Sequence, residues 1–248
     1  MLVILPPSET KRPGGEPGSR LRLSDLRFPV LTPQRRLTLS AVRALARDHD
    51  ASIAALRLGP KQHGEVAKNR RITTSPTMPA VDRYTGVLYD ALDAGTLPAQ
   101  SRRYLGDQVV VHSAVLGPIG AMDAIPDYRL SHDSRLPDVR LRAVWAEAAR
   151  GAFAATDELV IDARSEAYVT LGPAPEHAVF VRVVAETPDG ARRALNHFNK
   201  RAKGAFVRAL AQDLARPSSV PELIAWATGR GIRMEPAPDA ASELLLFA

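Results

Sequence analysis

The chain has 248 residues, 45% of them hydrophobic and 24% charged, a balance that belongs to a folded globular protein and excludes general disorder. It contains no cysteine, which removes disulfides, thiolate metal sites and a cysteine nucleophile. The formal charge of +6 favours a polyanionic partner. Met1–Leu5 is too short for a signal-peptide core, and no other run approaches the ~20 apolar residues of a membrane span. The expectation is a soluble, cytoplasmic protein with no membrane contact, folded as a single domain over residues 1–248.

In chain order, Leu2–Leu5 reads as a short buried strand ended by Pro6 and Pro7. A polar Gly/Pro-rich loop runs from Ser8 to Ser19. Helical spacing of Leu37, Ala41, Ala44 and Leu45 predicts a helix over Gln34–Asp48, with a shorter one over Ala51–Leu58. Lys61–Pro79 reads as basic and irregular. A helix follows at Ala80–Leu92, carrying Tyr84 and Tyr89. Further strands are predicted at Gln108–His112, Glu158–Asp162, Ala178–Val184 and Glu243–Phe247, with a helix over Leu141–Ala155. The alternation predicts an α/β (mixed α+β) fold, a compact domain with a central mixed β-sheet or partial barrel surrounded by helices.

Ala191–Ala215 reads as a basic helix. Leu195, Phe198, Ala202, Ala205, Phe206 and Ala209 share one arc, while Arg192, Arg193, Lys200, Arg201, Lys203 and Arg208 occupy the rest of the circumference. Extended to Arg216, the segment holds seven cations against Asp213 alone, a surplus equal to that of the whole chain. Such a face suits phosphate contact, with a solvated helix surface as the lesser alternative.

Gly117-Pro118-Ile119-Gly120 is a tight turn between apolar stretches. With Ala124 and Ile125 it reads either as half of a helix-hairpin-helix element, whose glycines let backbone N–H groups approach a phosphate, or as a plain strand-to-helix turn. Two polar loops follow strand ends, Ser8-Glu9-Thr10-Lys11-Arg12 and Arg164-Ser165-Glu166-Ala167-Tyr168. Strand-end loops are where α/β proteins build sites, although a Ser-Glu pair in a loop is more often simply solvated. The six histidines show no metal-ligand spacing, so neither a metal nor another cofactor is expected.

Taken in order, several segments resemble the YaaA peroxide-stress protein family. They are Pro7-Ser8-Glu9-Thr10-Lys11, Asp82-Arg83-Tyr84-Thr85-Gly86-Val87, Ser113-Ala114-Val115-Leu116-Gly117, Pro126-Asp127-Tyr128-Arg129-Leu130, Trp145, Ser165-Glu166-Ala167-Tyr168 and Phe198-Asn199-Lys200-Arg201-Ala202-Lys203-Gly204. The resemblance implies a cytosolic protein made under peroxide stress, associated with limiting free iron and oxidative DNA damage. It also implies DNA binding through a basic cleft and a helix-hairpin-helix element, which falls here on Ser113–Arg129. The chain departs from the family's pattern at Glu9, where Lys is common, and at Ala167, which separates Glu166 from Tyr168.

Two functions follow. The first is a DNA-binding protective protein that contacts duplex DNA with weak sequence preference through Lys11, Gly117, Gly120, Arg129, Lys200, Arg201 and Lys203. The second is an enzyme acting on a small phosphate- or amine-bearing metabolite. Its pocket would be formed by Ser8, Thr10, Tyr84, Ser113, Tyr128 and Ser165, with Glu9, Glu166 and Tyr168 as candidate catalytic groups.

Overall fold

A computed structural model describes residues 1–154, 156–186, 192–194 and 198–248. Among these residues lie ten strands: β1 (Leu2–Leu5), β2 (Met78–Pro79), β3 (Val109–Ser113), β4 (Gly117–Gly120), β5 (Ala124–Ile125), β6 (Val160–Asp162), β7 (Val179–Glu186), β8 (Arg192–Ala194), β9 (Met234–Ala237) and β10 (Ala240–Phe247). The α-helices are α1 (Thr32–Leu45), α2 (His49–Leu56), α3 (Val66–Arg70), α4 (Ala80–Arg83), α5 (Val87–Leu92), α6 (Ala99–Gln108), α7 (Leu141–Phe153), α8 (Glu166–Leu171), α9 (Phe198–Asp213) and α10 (Val220–Gly229). None of the helices is long and apolar enough to cross a membrane.

The expected mixed α/β architecture is present as an open eight-stranded sheet in the order β4-β3-β1-β6-β7-β10-β9, with β8 paired to β7. The five inner strands, β3-β1-β6-β7-β10, are mutually parallel, and β4, β8 and β9 join antiparallel. Parallel strands need both faces covered, which is why β1 is an unbroken apolar run. Val3 and Leu5 join the larger core, whereas Leu2 and Ile4 pack with Val110, Val160 and Phe153 on the other face.

The connection from β1 reaches β3 on one side, and the chain then crosses to β6 on the other. That reversal is a topological switch point beyond the carboxyl ends of β1 and β6, the position at which open α/β sheets receive ligands in a crevice.

Several predicted elements change. The single helix expected over Ala80–Leu92 is broken into α4 and α5, because Tyr84 is extended and Gly86 takes φ +98. The break turns the Tyr84 ring into the core. The region expected to be irregular between Lys61 and Pro79 contains a 3-10 turn and α3. The helix expected from Ala191 begins at Phe198, since Arg192–Ala194 pairs with Val184–Glu186 as a strand. Ala191, Leu195, Asn196 and His197 lie outside the described residues.

No helix-hairpin-helix forms at Ser113–Arg129. The segment turns at 114–116 and returns as β4, pairing Ser113 with Gly117 and Val110 with Gly120. Pro118 is tolerated because β4 is an edge strand. β5 then pairs with β2.

Candidate functional site at the strand ends

The loop after β1 is held by buried cations that satisfy backbone carbonyls. Arg83, fully buried, donates to the carbonyls of Arg12, Gly14, Pro76 and Ile125. The same clamp brings Tyr84 and Thr85 against the loop. Thr85 Oγ1 donates to Thr10 Oγ1 (3.0 Å), which lies 3.2 Å from Ser8 Oγ. Asp82, one residue before Arg83, takes a bidentate pair from Arg102 at 3.0 and 2.6 Å.

Lys11 sits inside this frame. Its residue is buried, and Nζ donates to Ser8 O (2.9 Å) and Glu9 O (3.3 Å). The amine stands 4.0 Å from the Tyr128 ring centroid and 5.3 Å from that of Tyr84. Among the described residues no carboxylate is within ion-pairing distance of it. Burial lowers its pKa to about 7, with Asp127 pulling the other way.

Behind it runs a hydroxyl chain. Ser113 Oγ accepts from Val115 N and Leu116 N, so its proton is left for Tyr128, 2.7 Å away. Tyr128 OH then lies 2.6 Å from Tyr84 OH. Burial raises the pKa of both phenols, keeping them protonated at neutral pH.

The wall opposite comes from α3 and the segment after β5. Asn69 clamps Arg129 through both its amide groups, accepting from Arg129 N and donating to Arg129 O. Arg129 in turn reaches Glu9 at 2.5 Å. Lys68 bridges Glu65 (2.9 Å) and Asp127 (3.2 Å). Among the described residues the second oxygen of Asp127, Oδ1, is buried without a hydrogen-bond partner.

The loop after β6 is organised by Arg164, which is fully buried. It binds Asp162 through Nε (2.9 Å) and Nη2 (2.6 Å), and His112 Nδ1, Tyr168 O and Gly172 O through Nη1. Because His112 Nδ1 accepts from a guanidinium, its proton sits on Nε2, and burial together with Arg164 holds its pKa well below the ordinary value. Lys203 of α9 closes this loop by donating to Arg164 O at 3.1 Å, with its pKa lowered by burial to about 8. Tyr168 is buried with its ring 5.3 Å from that of His132, and burial raises its pKa.

The structure therefore gathers Ser8, Glu9, Thr10, Lys11, Tyr84, Ser113, Tyr128 and Arg129 beyond β1 and β3, with Tyr168 beyond β6. Ser165 and Glu166 are exposed, and Glu166 turns away to pair with Arg182 at 3.2 Å. Glu166 instead lines a separate groove of about 370 Å³ with Val169, Ala178, Phe180 and Glu243. Gly117 and Gly120 are fully buried. Gly117 lies under the Trp145 ring, where any Cβ would overlap it, and Gly120 N donates to Asp123 Oδ2 (2.8 Å). Neither glycine has a face for a phosphate.

Sequence reasoning placed Arg164 in a strand-end loop but missed Lys68, Asp127, His112 and Asp162 as parts of the cluster. His112, Asp127 and Asp162 lie at or just past strand ends, whereas Lys68 lies within α3 and carried no such signal. Among the described residues no three His, Asp or Glu side chains gather as a metal would require.

Asp82–Gly86, Ser113 and Asp127–Arg129 are segments that carry the family resemblance, and each supplies a part of one cluster. The family model described as Peroxide stress protein YaaA matches residues 1–231. The chain belongs to this family. A UPF0246 protein of Corynebacterium glutamicum is 39% identical over 251 residues, covering 99% of both chains. Relatives of the same designation in Corynebacterium efficiens and Streptomyces coelicolor are 41% and 37% identical, covering 95% of this chain and 95% and 92% of theirs. Similarity over such lengths extends to the β1 loop, β3 and the β6 loop together.

A second group of exposed cations lies on and just after α1 and α3. Arg36 and Arg43, seven residues apart, share the exposed face of α1, and Arg47 follows in the turn beyond it. Arg70 is fixed beside them by donating from Nε to Ala46 O (2.7 Å), and Arg71 is next in the chain. Among the described residues none of these five has a carboxylate within ion-pairing distance.

Proposed function

We propose that this member of the peroxide-stress family binds duplex DNA through its phosphate backbone and thereby limits iron-driven damage to it. The observation that carries the reading is the set of exposed cations without acidic partners. Among the described residues these include a group of five around α1, Arg36, Arg43, Arg47, Arg70 and Arg71, and a pair at the start of α9, Lys200 and Arg201. A face of one sign is costly through self-repulsion until an anion meets it. Cations seated on phosphates release the counterions condensed there, and ferrous ions are among the ions so displaced. Lys11, Lys203 and Arg129 are buried and act within the fold, so phosphate contact falls to the exposed set. Binding of a labelled duplex, followed by fluorescence anisotropy across a salt series, tests the reading. A steep loss of affinity with salt supports it, and absence of binding at low salt removes it.

A second reading rests on Lys11 and the Ser113–Tyr128–Tyr84 hydroxyl chain, which are more elaborate than backbone contact requires. Clustered buried groups with displaced pKa values at a strand-end crevice are the pattern of a chemical site. In this reading the crevice takes a small oxygen-rich or phosphate-bearing ligand against the hydroxyls of Ser8, Thr10 and Thr85. A thermal-shift titration with glyceraldehyde 3-phosphate, compared with inorganic phosphate, tests for such a ligand.

A further inference from the structure

Lys11 is an unusual buried lysine. Its amine is satisfied by two backbone carbonyls and an aromatic face, with no carboxylate in contact. A lysine buried to neutralise an acid looks different: Lys68, one layer out, touches both Glu65 and Asp127. The carbonyls that hold Lys11 belong to Ser8 and Glu9, and their loop reaches solvent through the side chains of Glu9 and Thr10. The amine therefore lies directly beneath this loop. Asp127 is the acid that pulls hardest on Lys11, and among the described residues its Oδ1 has no hydrogen-bond partner.

We propose that Lys11 is a nucleophilic amine that forms an imine with an aldehyde-bearing, sugar-like ligand in the β1–β6 crevice. The inference deepens the strand-end reading above and rests on it. The neutral amine attacks the aldehyde carbon, forming a C–N bond as the carbonyl π-bond breaks. The first nitrogen proton is relayed through water to the Asp127 carboxylate, which is not in contact with the amine, and returns to the alkoxide to complete the carbinolamine. The nitrogen lone pair then expels the hydroxyl as the second nitrogen proton reaches it by the same relay, so that amine and aldehyde become imine and water with no external oxidant or reductant. Ser8, Thr10 and Thr85 supply hydroxyl partners for the ligand's oxygens.

The amine faces Asp127, Glu65, Lys68 and Arg129, with Tyr84 and Tyr128 protonated beside it. Its depressed basicity, to about 7, leaves a large neutral fraction at neutral pH, which an exposed lysine lacks. The aldehyde has two candidate sources, a free sugar phosphate or the ring-opened deoxyribose of an abasic site in DNA.

The full-length protein is incubated with sodium cyanoborohydride and one of three probes: glyceraldehyde 3-phosphate, a duplex carrying one abasic site, or the same duplex intact. Reduced adducts are then located by peptide mass mapping. The expected result is an adduct on Lys11 with at least one aldehyde probe, none with the intact duplex, and trapping that rises with pH through about 7. Trapping with the small aldehyde alone assigns a free metabolite, and trapping with the abasic duplex assigns DNA. Lys11→Arg keeps the cation and removes the nucleophile, so its adduct falls to the level of the intact-duplex control. Asp127→Asn retains the lysine and slows trapping without shifting the melting temperature by more than its Lys68 contact explains.

The proposal is overturned if Lys11 remains unmodified while exposed lysines such as Lys61 and Lys200 react, or if Lys11→Arg traps as well as the parent. Stabilisation by glyceraldehyde 3-phosphate without trapping leaves the ligand site standing and removes the imine. Neither stabilisation nor trapping removes both.

Discussion

The two most basic helical regions use their charge in opposite ways. On α9, Lys203 is buried against Arg164 O, and Arg208 donates to the carbonyls of Leu92 and Asp93. Beyond the helix, Arg216 faces Asp107 at 3.4 Å. Of that set Lys200, Arg201 and Arg216 are exposed, and among the described residues only Lys200 and Arg201 lack an acidic partner. On α1 one arginine, Arg35, is consumed internally, donating to the carbonyls of Arg27, Phe28, Leu116 and Pro118, while Arg36, Arg43 and the following Arg47 face solvent. A local surplus of positive residues therefore does not locate a positive surface. Much of the α9 surplus fastens helices and loops, and the α1 region, in a part of the chain whose charges sum to zero, presents a group of free cations.

The tightest test of the α9 arrangement is Gly204→Ala. The two helices α5 and α9 touch because Gly204 has no side chain, and a Cβ there would overlap Leu88 O and crowd Ala91. Because the obstruction is backbone, relief requires α9 to shift, and the loss should be at the upper end of the roughly 1–3 kcal/mol typical of overpacking. Urea unfolding of the variant measures it. A loss below about 0.5 kcal/mol, the scale of ordinary surface changes, would mean α9 is free to move off α5 and its charges are not locked.

Lys203→Met comes next and carries a pH signature. The buried amine titrates near 8, against 10.5 for an ordinary lysine. Between those values the unfolded chain binds more protons than the folded one, so the contribution of Lys203 to stability rises with pH. Below pH 8 both states are protonated and the full penalty of burying the charge is present. Relative to Lys203→Met, the parent should gain roughly 3 kcal/mol as pH rises from below 8 to above 10.5. A pH-independent difference between the two would place the amine in solvent.

Arg208→Ala should be smaller. It removes donors from the carbonyls of Leu92 and Asp93 and from Thr96 Oγ1, worth about 1 kcal/mol for a partly exposed cap. Thermal denaturation detects it.

Much of the sheet is legible in the sequence because buried parallel strands are continuous apolar runs, and β1 is legible to the residue. Strands such as Gly117–Gly120 and Met234–Ala237 are not, since glycine and proline mark turns by local rules and only their pairing with β3 and β10 makes them strands. The candidate site is half legible. Ser8–Lys11, Tyr84, Ser113 and Tyr128 are placed together by their strand ends, whereas Glu166 sits at the β6 strand end yet turns toward Arg182. The apolar arc expected on α9 is rotated, because Lys203 occupies a core-facing position that no hydrophobic pattern assigns to a lysine. Ala205, counted in that arc, is exposed.

Titration with DNA separates the two cationic surfaces. Replacing Lys203 together with Lys200 and Arg201 would confuse phosphate binding with folding, so the α9 variant is Lys200→Ala with Arg201→Ala. The α1 variant is Arg36→Ala, Arg43→Ala and Arg47→Ala. Each is an exposed substitution expected to change stability by no more than about 0.5 kcal/mol per site. In a plot of log affinity against log salt, each phosphate that the variant no longer neutralises should flatten the slope by about 0.9. If both faces touch one duplex, both variants flatten it, and the α1 variant does so more, because it removes three cations rather than two. A slope unchanged in the α1 variant would confine DNA to the α9 end. A slope unchanged in the α9 variant would move DNA to the α1 face and leave the crevice to a small ligand.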